Sequence, residues 1–140
     1  MATFSLLLLL VGLSSNSDVP EISYRCYVST GISKPVRLEM AIFGNSRWFG
    51  GYVQYESGQK PISIIELSTV TNEMSEDAPS EYKTTWLEVI GGRPAGKYVV
   101  ITQGARTYGF EYKSAGGLKA VKFVEDLESQ PDGNSGCSWH

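Results

Sequence analysis

The residues that could carry chemistry are few, and their spacing limits what they could do. The only histidine is His140, the last residue. A general base must be held in place by its neighbours, which a terminal imidazole is not, so a Ser-His-Asp or Cys-His arrangement is not expected. Cys26 and Cys137 are the only cysteines, so a zinc site built from Cys and His lacks ligands. Gly91 to Gly96 is glycine-rich, but no Lys-Ser/Thr follows it and it does not open a helix, so it is not a phosphate loop. Carboxylates remain. Glu39, Glu56, Glu66, Glu88, Glu111 and Asp126 fall within alternating segments. Two of them facing each other could work as an acid–base pair of the kind that hydrolyses glycosides. Each occupies a polar position of its alternation, so the simpler expectation is a solvated outer face. Glu73, Glu76 and Asp77 lack the ordered acidic spacing and the glycine of a calcium loop. No catalytic residue, metal or cofactor is expected.

The elements that would position these residues read as strands. The chain has 140 residues, 41% of them hydrophobic, enough to close one core. After residue 17 the apolar residues recur with period two, not 3.6. The clearest case is 35–43, where Val36, Leu38, Met40 and Ile42 take one side and Arg37, Glu39 and Ala41 the other. Further strands are expected at 22–30, 48–56, 61–70, 82–90, 97–103, 106–114 and 118–126. Gly50-Gly51 inside the third suggests a bulge or sharp bend. Gly91 to Gly96 reads as a hairpin connection, and the acidic stretch 71–81 as the longest loop. Consecutive strands usually neighbour one another. The expected fold is therefore all-β: a single-domain antiparallel meander of about eight strands, closed as a small barrel or folded as a highly curved sheet or sandwich.

Residues 1–17 carry no charge and hold the apolar run Leu6 to Val11, followed by small polar residues. This reads as a secretory signal, too short to span a bilayer, although no basic residue precedes the run. The expected layout is a signal peptide at 1–17, a β-rich domain at 18–127 and a polar tail at 128–140 tied by Cys137. An exported chain would meet an oxidising compartment, in which Cys26 and Cys137 would pair. Net charge −3 with dispersed charges argues against a nucleic-acid partner.

For binding, several arginines fall at expected turns. Counting connections along a meander, the turns holding Arg47 and Arg106 lie at one end and Arg93 at the other. Arg47, Trp48, Arg106 and Tyr108 are therefore the candidate binding patch, since arginine and aromatic residues anchor interfaces. A second candidate is a barrel mouth lined by Tyr52, Tyr108 and Tyr112.

The run Trp86-x-Glu88, Gly92, Gly96-x-Tyr98, Gln103-Gly104-Ala105 and Tyr108-x-Phe110-x-Tyr112 resembles short, exported, β-rich bacterial proteins of uncharacterised activity, over residues 82–126. Size, export, β-richness and one cysteine pair are also similar to the periplasmic lysozyme inhibitors. Their Ser-Gly-x-x-Tyr motif is not matched: Ser57-Gly58-Gln59-Lys60-Pro61 has proline in place of the tyrosine, so no inhibitory residue carries over. The expected function is an exported, non-enzymatic, protein-binding inhibitor or immunity-type protein of the bacterial envelope. It would be periplasmic or secreted, monomeric or weakly dimeric, and meet an envelope or secreted protein. The alternatives are a barrel that binds a small ligand or glycan, and a carboxylate-pair hydrolase.

Overall fold

The computed structural model describes residues 19–45, 47–58, 60–131 and 135–139. The segment expected to be the signal peptide and the terminal His140 lie outside them. The chain forms eight antiparallel strands: β1 (Glu21–Thr30), β2 (Arg37–Gly44), β3 (Phe49–Tyr55), β4 (Ile62–Asn72), β5 (Glu81–Ile90), β6 (Arg93–Gln103), β7 (Arg106–Lys113) and β8 (Ala120–Glu125). Each strand pairs with the next, and β8 pairs back onto β1, so the sheet is a closed barrel. The turns β1–β2, β3–β4, β5–β6 and β7–β8 lie at one end, here the lower. The turns β2–β3, β4–β5 and β6–β7 lie at the upper end.

Alternation decides what is inside. Tyr27, Leu38, Met40, Val53, Ile64, Trp86, Tyr98, Val100, Phe110 and Phe123 form the buried core. Their rings interlock, Tyr27 meeting Phe110 edge-on at 4.5 Å and Phe110 meeting Phe123 at 5.1 Å between centroids. An eight-stranded barrel has room for either side chains or one small ligand; here large side chains fill the centre. The outer positions carry Lys83, Lys97, Glu111, Lys113 and Lys122, the reverse of a wall that faces lipid. Among the described residues no helix is long and apolar enough to cross a membrane.

The irregularities fall elsewhere than expected. Gly50 and Gly51 sit in unbroken register with Phe43 and Ile42. Gly51 is required because a Cβ there would strike the Ala41 carbonyl. The extra residues lie instead at Leu67 in β4, around Ala95 and Gly96 in β6 opposite Glu88, and at Tyr108 in β7. The β5–β6 connection is also shorter than Gly91 to Gly96. Gly91 and Gly92 alone make the turn, at φ +58° and +75°, and Arg93 is already in the strand.

Cys26 and Cys137 form a disulfide. The segment after β8 is tied by more than this bond. It crosses the outer face of β1 and β2, where Asp126 N and Gln130 Nε2 both donate to the Cys26 carbonyl, at 2.8 and 3.2 Å. Cys137 N donates to Glu39 Oε2 at 2.6 Å.

Candidate functional site

Between β7 and β8 the wall of the barrel is incomplete. β8 pairs with β7 only over Ala120 to Lys122, opposite Glu111 to Lys113. Its remaining residues, Phe123 to Glu125, pair with β1 alone. The upper half of β7, Arg106 to Phe110, therefore has no strand on that side. A side chain replaces the missing ladder: the Glu125 carboxylate accepts Thr107 N at 2.7 Å and Arg106 Nε at 2.8 Å. Tyr27 OH and Thr107 Oγ1 add a hydrogen bond of 2.9 Å from inside. The Tyr27 hydroxyl has its pKa raised, first by burial and against the lowering effect of that bond.

Tyr108 sits at this seam as the extra residue of the β7 bulge, between Thr107 facing Thr102 and Gly109 facing Ile101. By strict alternation it would share the inward face of Phe110 and Tyr112. The bulge turns it out instead, and it is 70% exposed while Phe110 is 4% exposed. Beside it runs an outer groove of about 420 Å³, with Val99, Ile101, Phe110 and Phe123 among its apolar lining and Lys83, Lys113 and Lys122, with the single carboxylate Glu111, as its charged residues. Where β8 stops, a notch of about 340 Å³ is bordered by Tyr24, Arg25, Arg106, Glu125 and Leu127. Arg25 Nη1 spans it to the Ala105 carbonyl at 3.2 Å. The Arg25 side chain has no ion-pair partner among the described residues, whereas Arg106 is paired with Glu125.

The four predicted binding residues thus separate into two pairs. Arg47 and Trp48 sit on the β2–β3 turn, at the same end as Arg106 and Tyr108 but four strands away around an eight-stranded wall. That turn is pinned by Asn45 Oδ1, which accepts Arg47 N at 2.9 Å, and it leaves Trp48 46% and Phe49 59% exposed. Tyr52, Tyr108 and Tyr112 do not share a mouth. Tyr52 is on the outer face and donates to Glu39 Oε1 at 2.8 Å. Tyr108 is on the bulge. Tyr112 is inside, against Gly96 and 4.9 Å from the Tyr98 ring.

The carboxylates form the expected solvated face only in part: Glu56 and Glu66 are exposed, whereas Glu39, Glu88 and Asp126 are buried. Glu88 is inside the barrel, 4% exposed. Tyr98 OH donates to its Oε2 at 2.9 Å and Tyr112 OH to its Oε1 at 3.3 Å. The Tyr98 proton is committed to Glu88, so Tyr55 OH donates to Tyr98 OH across their 2.7 Å contact. Burial first, with the neighbouring Glu88 adding to it, raises all three phenol pKa values, that of Tyr112 to about 12, although the bond to Tyr98 acts the other way on Tyr55. Buried polar groups need partners, and inward tyrosines supply them. The signal that could have placed Glu88 was its shared parity with Trp86.

Glu39 is buried because the C-terminal segment covers it, and Asp126 because it meets Arg37 Nε at 3.3 Å. Glu56 reaches the same guanidinium at 3.7 Å, while Glu66 lies exposed near the middle of β4. Glu88 is thus inside, Glu39 outside under the tail, and Glu56 and Asp126, just past the ends of β3 and β8, on either side of one arginine. Among the described residues no group of three or more His, Cys, Asp or Glu is placed to hold a metal ion.

With this geometry in hand, the chain matches no protein-family model, no curated protein and no solved structure.

Proposed function

We propose that this chain is an exported, non-enzymatic protein-binding domain, an inhibitor or immunity-type protein of the bacterial envelope, and that it docks through the seam between β7 and β8. The observation that carries this reading is Tyr108. It is a large aromatic side chain held outside the sheet by a bulge, beside an apolar groove rimmed by lysines and next to Arg106. A bulged tyrosine on a rigid wall loses little freedom on binding, and tyrosine and arginine are the usual anchors of interfaces. The lysines of the rim and Arg25 suit a partner that presents carboxylates around an apolar contact. A disulfide that closes a separation of 111 residues suits an oxidising compartment outside the cytoplasm. The filled barrel leaves the outer surface as the place to bind.

The test is affinity capture from envelope extract with the immobilised domain, beside a Tyr108→Ala/Arg106→Ala double variant of equal thermal stability. The expected result is one stoichiometric protein retained by the natural sequence and lost with the variant. An eluate without a specific protein, or the same protein from both columns, overturns the reading.

A further inference from the structure

The barrel has a second place where the ladder is missing, and here, among the described residues, nothing replaces it. β4 has 11 residues, but β3 covers it only from Ile62 to Ile65. From Glu66 to Asn72 the strand pairs with β5 alone. No other backbone hydrogen bond reaches this stretch among the described residues. Alternate residues therefore hold their N–H and C=O groups toward open solvent. Such an edge is a template for another strand, and proteins usually guard it with lysine, proline, a bulge or a cover; the bulge at Leu67 leaves Ser68 to Asn72 in regular register beyond it. Leu67 to Asn72 contains no charged residue and no proline, and Leu67 and Val70 are 47% and 54% exposed.

We infer that this edge pairs with the same edge of a second copy of the chain, joining two barrels through a continuous antiparallel sheet. A two-fold register centred on Val70 sets Val70 against itself, Thr69 against Thr71 and Ser68 against Asn72. These are β-branched and uncharged pairs, which stabilise antiparallel strands, and no like charges meet. The register also brings opposite charges together. β3 begins at Phe49, preceded by Arg47 and Trp48, so the turn leaves the β4 edge where β3 stops. The acidic tip of the incoming copy, Glu73, Glu76 and Asp77, is carried toward this Arg47. Its half-exposed Met74 is carried toward Trp48 and Phe49. The tip is ordered for this role: Gln103 Nε2 donates to the Pro79 carbonyl at 3.0 Å, and Asn72 Nδ2 donates to Glu81 Oε1 at 3.0 Å. The pairing uses the side of the barrel opposite the β7–β8 seam, so a dimer leaves that seam open.

A contact this small is weak, so it is measured by sedimentation equilibrium over a wide range of protein concentration. Val70→Glu is the discriminating variant. Within one copy the new carboxylate lies across from Lys83 of β5, which favours folding. Across the dyad it faces its own copy. The expected result is a reversible monomer–dimer equilibrium for the natural sequence, weakened at least about tenfold by Val70→Glu, with an unchanged melting temperature. Val70→Cys adds a thiol to a chain whose two cysteines are already paired, and should give a band of twice the chain mass on non-reducing gels after mild oxidation. A natural sequence that stays monomeric at every concentration, or a dimer that Val70→Glu leaves equally tight, overturns the inference.

Discussion

Replacing Glu125 by alanine tests whether one side chain closes the barrel wall. The carboxylate is 12% exposed, and it takes from Thr107 N the bond that a longer β8 would have accepted, and a second from the Arg106 side chain. Its ion pair with Arg106 contributes little, because the Arg106 side chain is 60% exposed and such pairs are worth about 0–1 kcal/mol. The larger loss is at Thr107, whose half-buried backbone N–H is left without an acceptor at about 1–3 kcal/mol. The sum is about 1–4 kcal/mol, centred near 2.5. For a domain of this size that lowers the melting temperature by roughly 10 °C. Arg106→Ala is the matched control, since it removes the ion pair and keeps the bond to Thr107 N, so it should cost under about 1 kcal/mol. Thermal unfolding followed by circular dichroism gives the difference. Amide hydrogen exchange locates it: the Thr107 amide should be protected in the natural sequence and in Arg106→Ala, and should exchange quickly in Glu125→Ala. If Glu125→Ala and Arg106→Ala are equally stable, or if the Thr107 amide stays protected without the carboxylate, the closure argument fails.

Two further outcomes follow from the tail and the core. Replacing Cys26 and Cys137 by serine removes a cross-link between residues 111 apart, and the chain-entropy relation puts the loss in urea denaturation at up to about 5 kcal/mol; a loss under about 1 kcal/mol would show that the bonds to Glu39 and Cys26 already hold the tail. Alkali should destabilise the fold. Burial raises the phenol pKa values of Tyr27, Tyr55, Tyr98 and Tyr112 above 10.0, so the unfolded chain releases its protons first. Stability is therefore full below about pH 10 and falls as pH rises toward about 12, the Tyr112 value. Denaturant titrations at stepped pH check the direction, and a stability that stays flat to pH 12 refutes it.

The strands and the barrel were largely legible because period-two alternation is a local signal. Leu38, Met40 and Ile42 point inward as their spacing requires. The site was less legible because each of its features depends on a distant partner. Glu88 reads as polar, hence outward, until Tyr98 and Tyr112 are known to face it. Tyr108 has the parity of Phe110, and only the register against β6 shows that it is the residue pushed out. Glu39 lies on the outer face, as its alternation implies, yet it is buried by a segment 98 positions away. The cysteine pairing was legible from composition and the expectation of export. The incompleteness of β3 and β8 was not, because strand length against a neighbour is a property of the closed sheet.

The return of β8 onto β1 also sets a kinetic order. Seven of the eight pairings join consecutive strands and can form as local hairpins. The eighth joins residues 27–30 to 122–125, and the disulfide joins 26 to 137 on the same strand. The first strand made must wait for the last, and contacts of such long separation are slow to form. Until then β1 and β8 are both open edges of an eight-stranded ribbon whose inner face is aromatic and exposed. A chain interrupted before residue 120 would therefore hold nearly all the local pairings and still be held in its most association-prone form.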